Sequence, residues 1–231
     1  MSKLVIAIDG PAGAGKSTIA SRLARTLGYV NLESGAMYRA LALKSIETGV
    51  APEDGSGLLA LANQSTIELE PTPDGNRVLL DKRDVSARIR ERDVTDAASR
   101  VSTHPGVRQW MVSRQREMGA RGGVIMEGRD IGTVVFPNAE VKIFLDAAPE
   151  VRGLRRYDQL DQKGTAPPPP PSEIIRDLRA RDERDRNRAD SPLKPAQDSV
   201  ILDSTNLTLD EAVSEAVNIV AGRLRAAGLS S

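Results

Sequence analysis

Short runs of branched apolar residues recur along the chain, and each of them ends in a polar cluster. The runs lie at 4–8, 29–32, 124–126, 141–145 and 200–202. Apolar runs of this length are typical of strands that are buried on both faces. Segments with apolar residues at helical spacing separate these runs. One example is 17–27, which is followed by Gly28 in the position of a helix C-terminal glycine. The pattern predicts an α/β fold in which a central parallel sheet carries crossover helices on both faces.

The last predicted helix has a well-defined start. Thr208 and Glu211 have the spacing of a capping box, which satisfies main-chain N–H groups at the beginning of a helix. The apolar stripe of this helix comprises Leu209, Val213, Val217, Val220 and Leu224. We expect this stripe to be its buried face.

One interval is too long for the α/β pattern. Residues 33–124 span about 90 positions, whereas a βαβ unit needs about 30. Within 66–80, two stretches of alternating apolar and polar residues flank the sequence Pro-Asp-Gly-Asn, which predicts a β-hairpin. Residues 83–85 are a candidate third strand, and 88–101 has a helical pattern. We therefore expect a small α+β insert at 62–99.

A second unusual interval contains five consecutive prolines at 167–171. Such a run adopts the extended polyproline conformation, so we expect an exposed, semi-rigid connector. A ligand for a proline-binding domain is the alternative interpretation. Arginines at 152, 155 and 156 precede the run, and an arginine-rich helix follows it. A hinged segment with arginines at both ends is typical of a lid that closes over phosphates, and we assign it to 152–190.

The clearest motif in the chain is the sequence Gly-Pro-Ala-Gly-Ala-Gly-Lys-Ser at 10–17, which fits the P-loop pattern with a strand before it and a helix after it. Its glycines allow the backbone N–H groups to surround phosphate oxygens at the start of a helix. Lys16 is placed to bridge the β- and γ-phosphates, and the Ser17 hydroxyl to bind Mg²⁺. A glycine-rich turn without a ligand is the alternative. The motif predicts binding of a nucleoside triphosphate.

Glu127 and Arg129 follow the apolar strand at 124–126, where ligands bind in open α/β sheets. Glu127 is a candidate to hold Mg²⁺ through water, and Arg129 is a candidate to contact the transferred phosphoryl group. The alternative is a simple turn in which Arg129 pairs with Asp130.

Two further groups carry charges that suit a phosphorylated sugar. Arg181, Asp185 and Arg188 lie on one stripe of the arginine-rich helix, so the arginines could bind phosphate and the carboxylate ribose hydroxyls. A solvated face with ion pairs between successive turns is the alternative. Ser34 and Arg39, directly after the second strand, form another phosphate-sized site, unless Ser34 is an ordinary N-cap.

The composition excludes several classes of function. The 231 residues include 32 basic and 32 acidic side chains, so the chain lacks the positive charge of a protein that binds nucleic acid polymers. It has no cysteine, one histidine and only 3% aromatic residues, so disulfides, thiolate zinc sites and base-stacking platforms are not expected. Without an apolar run of about 18 residues we expect no membrane partner and a cytoplasmic protein.

The basic residues are 25 Arg and 7 Lys, a bias that favours rigid binding of phosphates or carboxylates. From these residues alone, a kinase of another small acceptor and a non-catalytic nucleotide-binding module stay open as alternatives.

The order of these motifs resembles that of bacterial cytidylate kinases. The segments that carry the resemblance are 10–18, 33–39, 127–137, 181–188 and 202–205, and Gly-Arg-Asp-Ile-Gly-Thr-Val-Val-Phe-Pro at 128–137 is specific to that family. The resemblance implies one P-loop nucleoside monophosphate kinase domain over 1–231, with a three-layer sandwich around a parallel sheet. It also implies that 62–99 is a CMP-binding insert and that 152–190 is a mobile lid. The implied reaction is transfer of the γ-phosphoryl group of ATP to CMP or dCMP with Mg²⁺ as cofactor, by a monomer.

The resemblance also implies a role for individual residues. Cytosine would be read by Ser99, Arg108 and Asp130, and the ribose would be bound by Asp185 with Arg181. The CMP phosphate would contact Ser34, Arg39, Arg129 and Arg188. ATP would be bound by Gly10, Pro11, Ala12, Gly13, Ala14, Gly15, Lys16, Ser17 and Thr18. The catalytic cations would be Lys16, Arg129, Arg155 and Arg188, with Arg155 approaching from the lid, and the metal would lie at Ser17 and Glu127.

Overall fold

A computed structural model describes residues 4–72, 75–162, 167–226 and 228. The strands of the described residues are β1 (Val5–Asp9), β2 (Val30–Glu33), β3 (Ile67–Thr72), β4 (Gly75–Leu80), β5 (Arg83–Asp84), β6 (Val124–Gly128), β7 (Val141–Asp146) and β8 (Val200–Asp203). The α-helices are α1 (Lys16–Leu27), α2 (Ser34–Thr48), α3 (Gly55–Asn63), α4 (Arg92–Val101), α5 (Pro105–Gly119), α6 (Pro149–Asp161), α7 (Pro171–Asn187) and α8 (Leu209–Ala226). A 3₁₀ turn lies at Arg88–Arg90 and a π-helical turn at Ile131–Val135.

The central sheet is parallel and has the strand order β2-β6-β1-β7-β8. Successive residues of β1 point to opposite faces, as the pleat requires. Ile6 and Ile8 belong to the buried cluster that includes residues of α1 and α8, whereas Ala7 belongs to a second cluster with Met126 and Ile131. The predicted three-layer α/β fold is therefore confirmed, and all five predicted core strands are present.

The antiparallel strands of residues 67–84 pack on a hydrophobic cluster that is distinct from the two clusters of the central sheet. Strands β3, β4 and β5 form an antiparallel sheet, so the predicted hairpin and its candidate third strand are confirmed. The core beneath this sheet also includes buried residues of α2, α3, α4 and α5. Positions 73 and 74 of the predicted turn lie outside the described residues. The helix predicted over 88–101 is interrupted, because Glu91 has extended dihedral angles between the 3₁₀ turn and α4.

The structure corrects two details of the helix predictions. The prolines at 167–170 lie outside any helix or strand, but Pro171 is the first residue of α7, where its fixed φ angle and missing N–H are compatible with a helix. In α8 the capping box is present, since the Thr208 hydroxyl and the Glu211 carboxylate bond reciprocally to main-chain N–H groups. Its fully buried residues are Ala212, Ala216 and Val220, whereas Leu209, predicted to be on the apolar stripe, is 44% exposed. The small alanines allow α8 to pack close to its neighbours.

Among the residues that the structure describes, no helix combines the length and the apolar character that a membrane span requires.

Candidate functional site

The glycine-rich loop connects the end of β1 to the start of α1. Gly10, Gly13 and Gly15 have positive φ angles of 149°, 77° and 94°. A Cβ atom at Gly10 would lie 1.9 Å from the Leu145 carbonyl oxygen, so this position has no room for a side chain. Gly15 is the N-cap of α1 and has no side chain to occupy the first amide groups of the helix. These N–H groups and the positive end of the helix dipole therefore form an anion site.

Lys16 is the first residue of α1, and its side chain reaches back to this loop. Its ammonium group is buried and donates a hydrogen bond of 2.7 Å to the Pro11 carbonyl oxygen. Burial, together with the nearby Arg129 guanidinium, lowers the pKa of Lys16 to about 7. A buried ammonium in this setting gains from an anion that enters the loop.

A carboxylate and a hydroxyl meet at the carboxyl end of the sheet. Ser17 on α1 donates a hydrogen bond to Glu127 at the end of β6. Burial, and then the neighbouring Glu33 carboxylate, raise the pKa of Glu127. Hydroxyl and carboxylate oxygens are the ligands that Mg²⁺ prefers, and Mg²⁺ commonly takes only one or two of them from the protein. The donor set at Ser17 and Glu127 thus fits a magnesium ion.

Ser34 and Arg39 both lie in α2, but their partners differ from those of an ordinary helix start. Glu33 is the N-cap of α2, and the Ser34 hydroxyl donates to the Glu127 carbonyl oxygen at 2.6 Å. The alternative interpretation of Ser34 as the N-cap is therefore wrong. The Glu33 carboxylate forms ion pairs with Arg39 and Arg90. Although burial acts in the opposite direction, these two guanidiniums lower the pKa of Glu33.

Arg108 and Asp130 form a buried ion pair between α5 and the end of β6. Their side chains are 4% and 8% exposed, and Nη2 of Arg108 lies 2.5 Å from Oδ2 of Asp130. Arg108 also donates to the Ser102 carbonyl oxygen and lies over the Tyr38 ring. Asp130 thus pairs with Arg108, and the alternative of a local ion pair between Arg129 and Asp130 is wrong.

Arg129 instead reaches α7. Its Nε donates to Oδ2 of Asp185 at 2.8 Å, and Nη1 of Arg188 lies 3.7 Å from the other carboxylate oxygen. Asp185 is buried and the Arg188 side chain is only 6% exposed, so this stripe of α7 is not a solvated face. Burial and the Arg129 charge lower the pKa of Arg181 to about 10.

Several guanidinium nitrogens in this cluster are buried and lack a hydrogen-bond partner among the described residues. They are Nε of Arg39, Nε of Arg108, Nε of Arg181 and Nη2 of Arg188. Buried N–H groups are normally satisfied, and charged ones are costly to leave unpaired. Four such atoms in one cluster indicate a site for an anionic ligand that supplies the missing acceptors.

Not every predicted residue joins this cluster. Arg155 on α6 donates to the Ser204 hydroxyl and to the carbonyl oxygens of Ser204 and Leu207, near the start of α8. Ser99 is buried on α4, where its hydroxyl accepts a hydrogen bond of 3.3 Å from Nη2 of Arg184.

Other residues of the site were not found by sequence analysis. The Asp9 carboxylate accepts hydrogen bonds from the main-chain N–H groups of Ile131 and Gly132, at 2.8 and 2.7 Å. The Asn76 amide bonds to the main chain of both Asn31 and Glu33 and so fixes the insert against β2. The only sequence signal for Asp9 is its place before Gly10, and Asn76 looked like a turn residue.

The family model and the curated relatives agree on one family. A family model described as cytidylate kinase matches residues 6–222. The cytidylate kinase of Pasteurella multocida (strain Pm70) is 45% identical to this chain over 219 residues, which cover 95% of this chain and 96% of the relative. That of Solibacter usitatus (strain Ellin6076) is 47% identical over 222 residues, covering 96% and 94%. A solved gluconokinase structure from Sinorhizobium meliloti 1021 has a TM-score of 0.50 at 16% identity over 98% of this chain and 95% of its own, a likeness of fold alone.

Proposed function

The chain belongs to the cytidylate kinase family, and from this premise we propose which of its residues bind each substrate and stabilise the transition state. The enzyme transfers the γ-phosphoryl group of ATP to CMP or dCMP, so its products are ADP with CDP or dCDP. It is a transferase of pyrimidine nucleotide metabolism. The observation that carries the assignment of residues is the buried Arg108–Asp130 pair beside arginines with unpaired N–H groups.

ATP binds with its phosphates in the loop at 10–18. The positive φ angles of its glycines support this assignment, because they turn successive N–H groups toward one anion. Lys16 exchanges its bond to the Pro11 carbonyl oxygen for the β- and γ-phosphates. Ala12 contributes less than its neighbours, since its N–H and its carbonyl oxygen both face groups from α6 and α7.

The phosphate of CMP binds among Ser34, Arg39, Arg129 and Arg188. The unpaired nitrogens of Arg39 and Arg188 support this assignment, because a phosphate offers the acceptors that they lack. Asp185, held between Arg129 and Arg188, accepts from the ribose hydroxyls with Arg181 beside it.

The base of CMP binds at Arg108 and Asp130, and Ser99 joins them when its hydroxyl exchanges its bond to Arg184 for one to the base. Cytosine presents an amino donor next to a ring-nitrogen acceptor, and the Asp130 carboxylate and the Arg108 guanidinium offer the complementary acceptor and donor. Uracil presents a carbonyl acceptor and a ring N–H donor at the same two positions. A carboxylate is then left opposite an acceptor, so the pair discriminates against UMP.

Phosphoryl transfer needs no strong base here, because the attacking oxygen belongs to an anionic phosphate. Catalysis is then a matter of alignment and of charge neutralisation. Lys16, Arg129 and Arg188 surround the transferred group, and Arg155 joins them only if α6 moves away from Ser204 and Leu207. Ser17 and Glu127 would hold Mg²⁺, whose charge would offset that of the ATP phosphates.

The insert and the lid complete the proposal. Residues 62–99 include Ser99, and Asn76 within them bonds to β2. We assign one wall of the CMP site to this insert. Residues 152–190 carry Arg181, Asp185 and Arg188, and we assign to them the exclusion of water from the transferred phosphoryl group.

A coupled assay of ADP release tests the proposed function. ATP and Mg²⁺ are held constant while CMP, dCMP, UMP, AMP and shikimate are compared as acceptors. We expect rapid release with CMP or dCMP, slower release with UMP and none above background with shikimate. Equal rates without an acceptor would indicate an ATPase, and a preference for shikimate or AMP would overturn the proposed acceptor site.

A further inference from the structure

A fully buried arginine connects α6 to the phosphate loop. Arg152 is only 1% exposed. Its Nε donates to the Ala147 carbonyl oxygen and its Nη1 to the Ala12 carbonyl oxygen, both at 2.8 Å. Its Nη2 lies 2.6 Å from the carboxylate of Asp182. All three nitrogens of this guanidinium are therefore satisfied within the protein, unlike those of the arginines at the CMP site.

Asp182 completes the connection from α7. Its carboxylate is buried, and the oxygen that does not face Arg152 accepts from the Ala12 N–H at 3.4 Å. The two main-chain polar groups of Ala12 are thus bound by a single ion pair whose members come from two different helices. The helices themselves are in close contact here, since a Cβ atom at Gly153 would lie 2.3 Å from Ile175.

The position of Asp182 along α7 links this ion pair to the acceptor site. Asp182 is adjacent to Arg181 and precedes Asp185 by three residues, but it faces the phosphate loop, whereas Asp185 faces Arg129. Residues three apart lie on the same face of a helix, so one face of α7 contacts both the loop assigned to ATP and the residues assigned to CMP. Any shift of α7 relative to Ala12 moves the acceptor phosphate relative to the donor phosphate.

We propose that Arg152 and Asp182 are positioning residues that fix α7 on the phosphate loop and thereby align the γ-phosphate of ATP with the phosphate of CMP. This inference rests on the proposed function of the two sites. Neither residue touches the reacting atoms. A buried ion pair gives little net stability over apolar side chains of similar volume, so the main effect of this pair falls on geometry. Misalignment by about 1 Å is sufficient to lower a rate about 100-fold.

The test removes both charges together, because a single uncompensated buried charge destabilises a fold. In the double variant Arg152→Met/Asp182→Leu we expect kcat for CMP phosphorylation to fall about 100-fold. The KM values for ATP and CMP should stay within about fivefold of those of the parent, since the binding groups remain. The matched control is Glu150→Gln/Arg179→Met, which removes an exposed ion pair across the same two helices. This control should keep kcat within about twofold.

A second variant keeps the test decisive if the double variant does not fold. Arg152→Lys keeps a positive charge beside Asp182 but loses the rigid fork of donors that reaches the carbonyl oxygens of Ala12 and Ala147, and we expect about a 10-fold loss of kcat with a cooperative thermal transition retained. If the parent is active and either folded variant keeps kcat within about twofold of it, the inference is overturned and the proposed function is not. A parent that forms no CDP from CMP would overturn the proposed function, and the inference with it.

Discussion

The phosphate loop and the acceptor cluster prepare for anionic ligands by different means. In the loop, glycines at positive φ angles aim main-chain N–H groups at one point, and Lys16 is the one charged side chain of the segment 10–17. In the acceptor cluster, buried and half-buried arginines are held by carboxylates: Arg129 by Asp185, Arg108 by Asp130, and Arg39 by Glu33. The loop depends on backbone conformation, whereas the cluster depends on ion pairs between distant segments.

This difference has consequences for binding. A backbone site is complete before ATP arrives, since its geometry is set by glycine and by the start of α1. The acceptor cluster is only partly satisfied, because within the described part of the chain some guanidinium nitrogens find no acceptor. CMP supplies those acceptors, so its binding exchanges or completes ion pairs. Loss of one cluster arginine should therefore affect CMP far more than ATP.

The largest expected effect follows from removal of Arg188. In Arg188→Met we expect turnover with CMP to fall by about 100- to 1,000-fold. The variant removes a guanidinium that neutralises the acceptor phosphate in a site with little access to water. The Kd for ATP, measured by calorimetry, should change by less than about threefold. Arg186→Met, an exposed position on the same helix, is the control. Turnover of Arg188→Met close to that of the control would show that the cluster does not bind the acceptor phosphate.

A smaller effect is expected on the choice of base. In Arg108→Met the ratio of kcat/KM for CMP to that for UMP should fall about 10- to 100-fold, since the donor that faces cytosine is lost. Ser99→Ala should lower the same ratio by a smaller factor. Arg114→Met changes an exposed arginine of α5 and should leave the ratio unchanged. A ratio that stays at the parent value in both Arg108→Met and Ser99→Ala would contradict the assignment of the base site.

Asp9 directly precedes the phosphate loop, and its carboxylate bonds to the main chain of Ile131 and Gly132, just after Arg129. The pH dependence of stability tests this contact between the two regions. Burial raises the pKa of Asp9 to about 6, from the 3.8 that is ordinary for an aspartate side chain. Between these values the folded protein holds a proton that the unfolded chain has released, so this group stabilises the fold at low pH and that contribution is lost as the pH rises through about 6. The free energy of unfolding of the parent minus that of Asp9→Asn should therefore fall by about 1 kcal/mol between about pH 5 and pH 7.5.

Urea titrations of both proteins at the two pH values measure this difference. Asp9→Asn cannot titrate, so it corrects for all other groups that change charge in the same interval. If the free energy of unfolding changes equally with pH in the two proteins, burial between the phosphate loop and the segment that carries Arg129 does not raise the pKa of Asp9.

The smallest effect is expected at an ion pair outside both regions. Arg77 contacts Glu70 and Asp84 on the exposed side of the insert hairpin. Arg77→Met should change the free energy of unfolding by less than about 1 kcal/mol and leave the kinetics unchanged. A large loss of activity would mean that the charges of the hairpin surface contribute to catalysis.

The same contrast explains what the sequence predicted. The phosphate loop is one continuous motif with a strand before it and a helix after it, so Lys16 and Ser17 were predicted from local sequence. The resemblance to a family named Arg108, Asp130 and Asp185, but nothing local predicts that Asp130 pairs with Arg108 rather than with its neighbour Arg129. Such pairs form only after β6, α5 and α7 have packed.

Three other outcomes follow from tertiary structure that local patterns do not contain. The Ser34 hydroxyl bonds to a neighbouring strand instead of capping its own helix. Arg155 contacts the turn before α8, so its predicted role on ATP stays a prediction. Arg152 and Asp182 lie in an arginine-rich segment where most charges are exposed, and only packing against Ala12 distinguishes them.

The most direct measurement is calorimetric titration of the parent protein with CMP, UMP and cytidine. If buried arginines bind the acceptor phosphate and the Arg108–Asp130 pair reads the base, CMP should bind at least about 100-fold more tightly than cytidine. It should also bind about 10-fold more tightly than UMP. Equal affinities for the three ligands would contradict both the phosphate site and the base site.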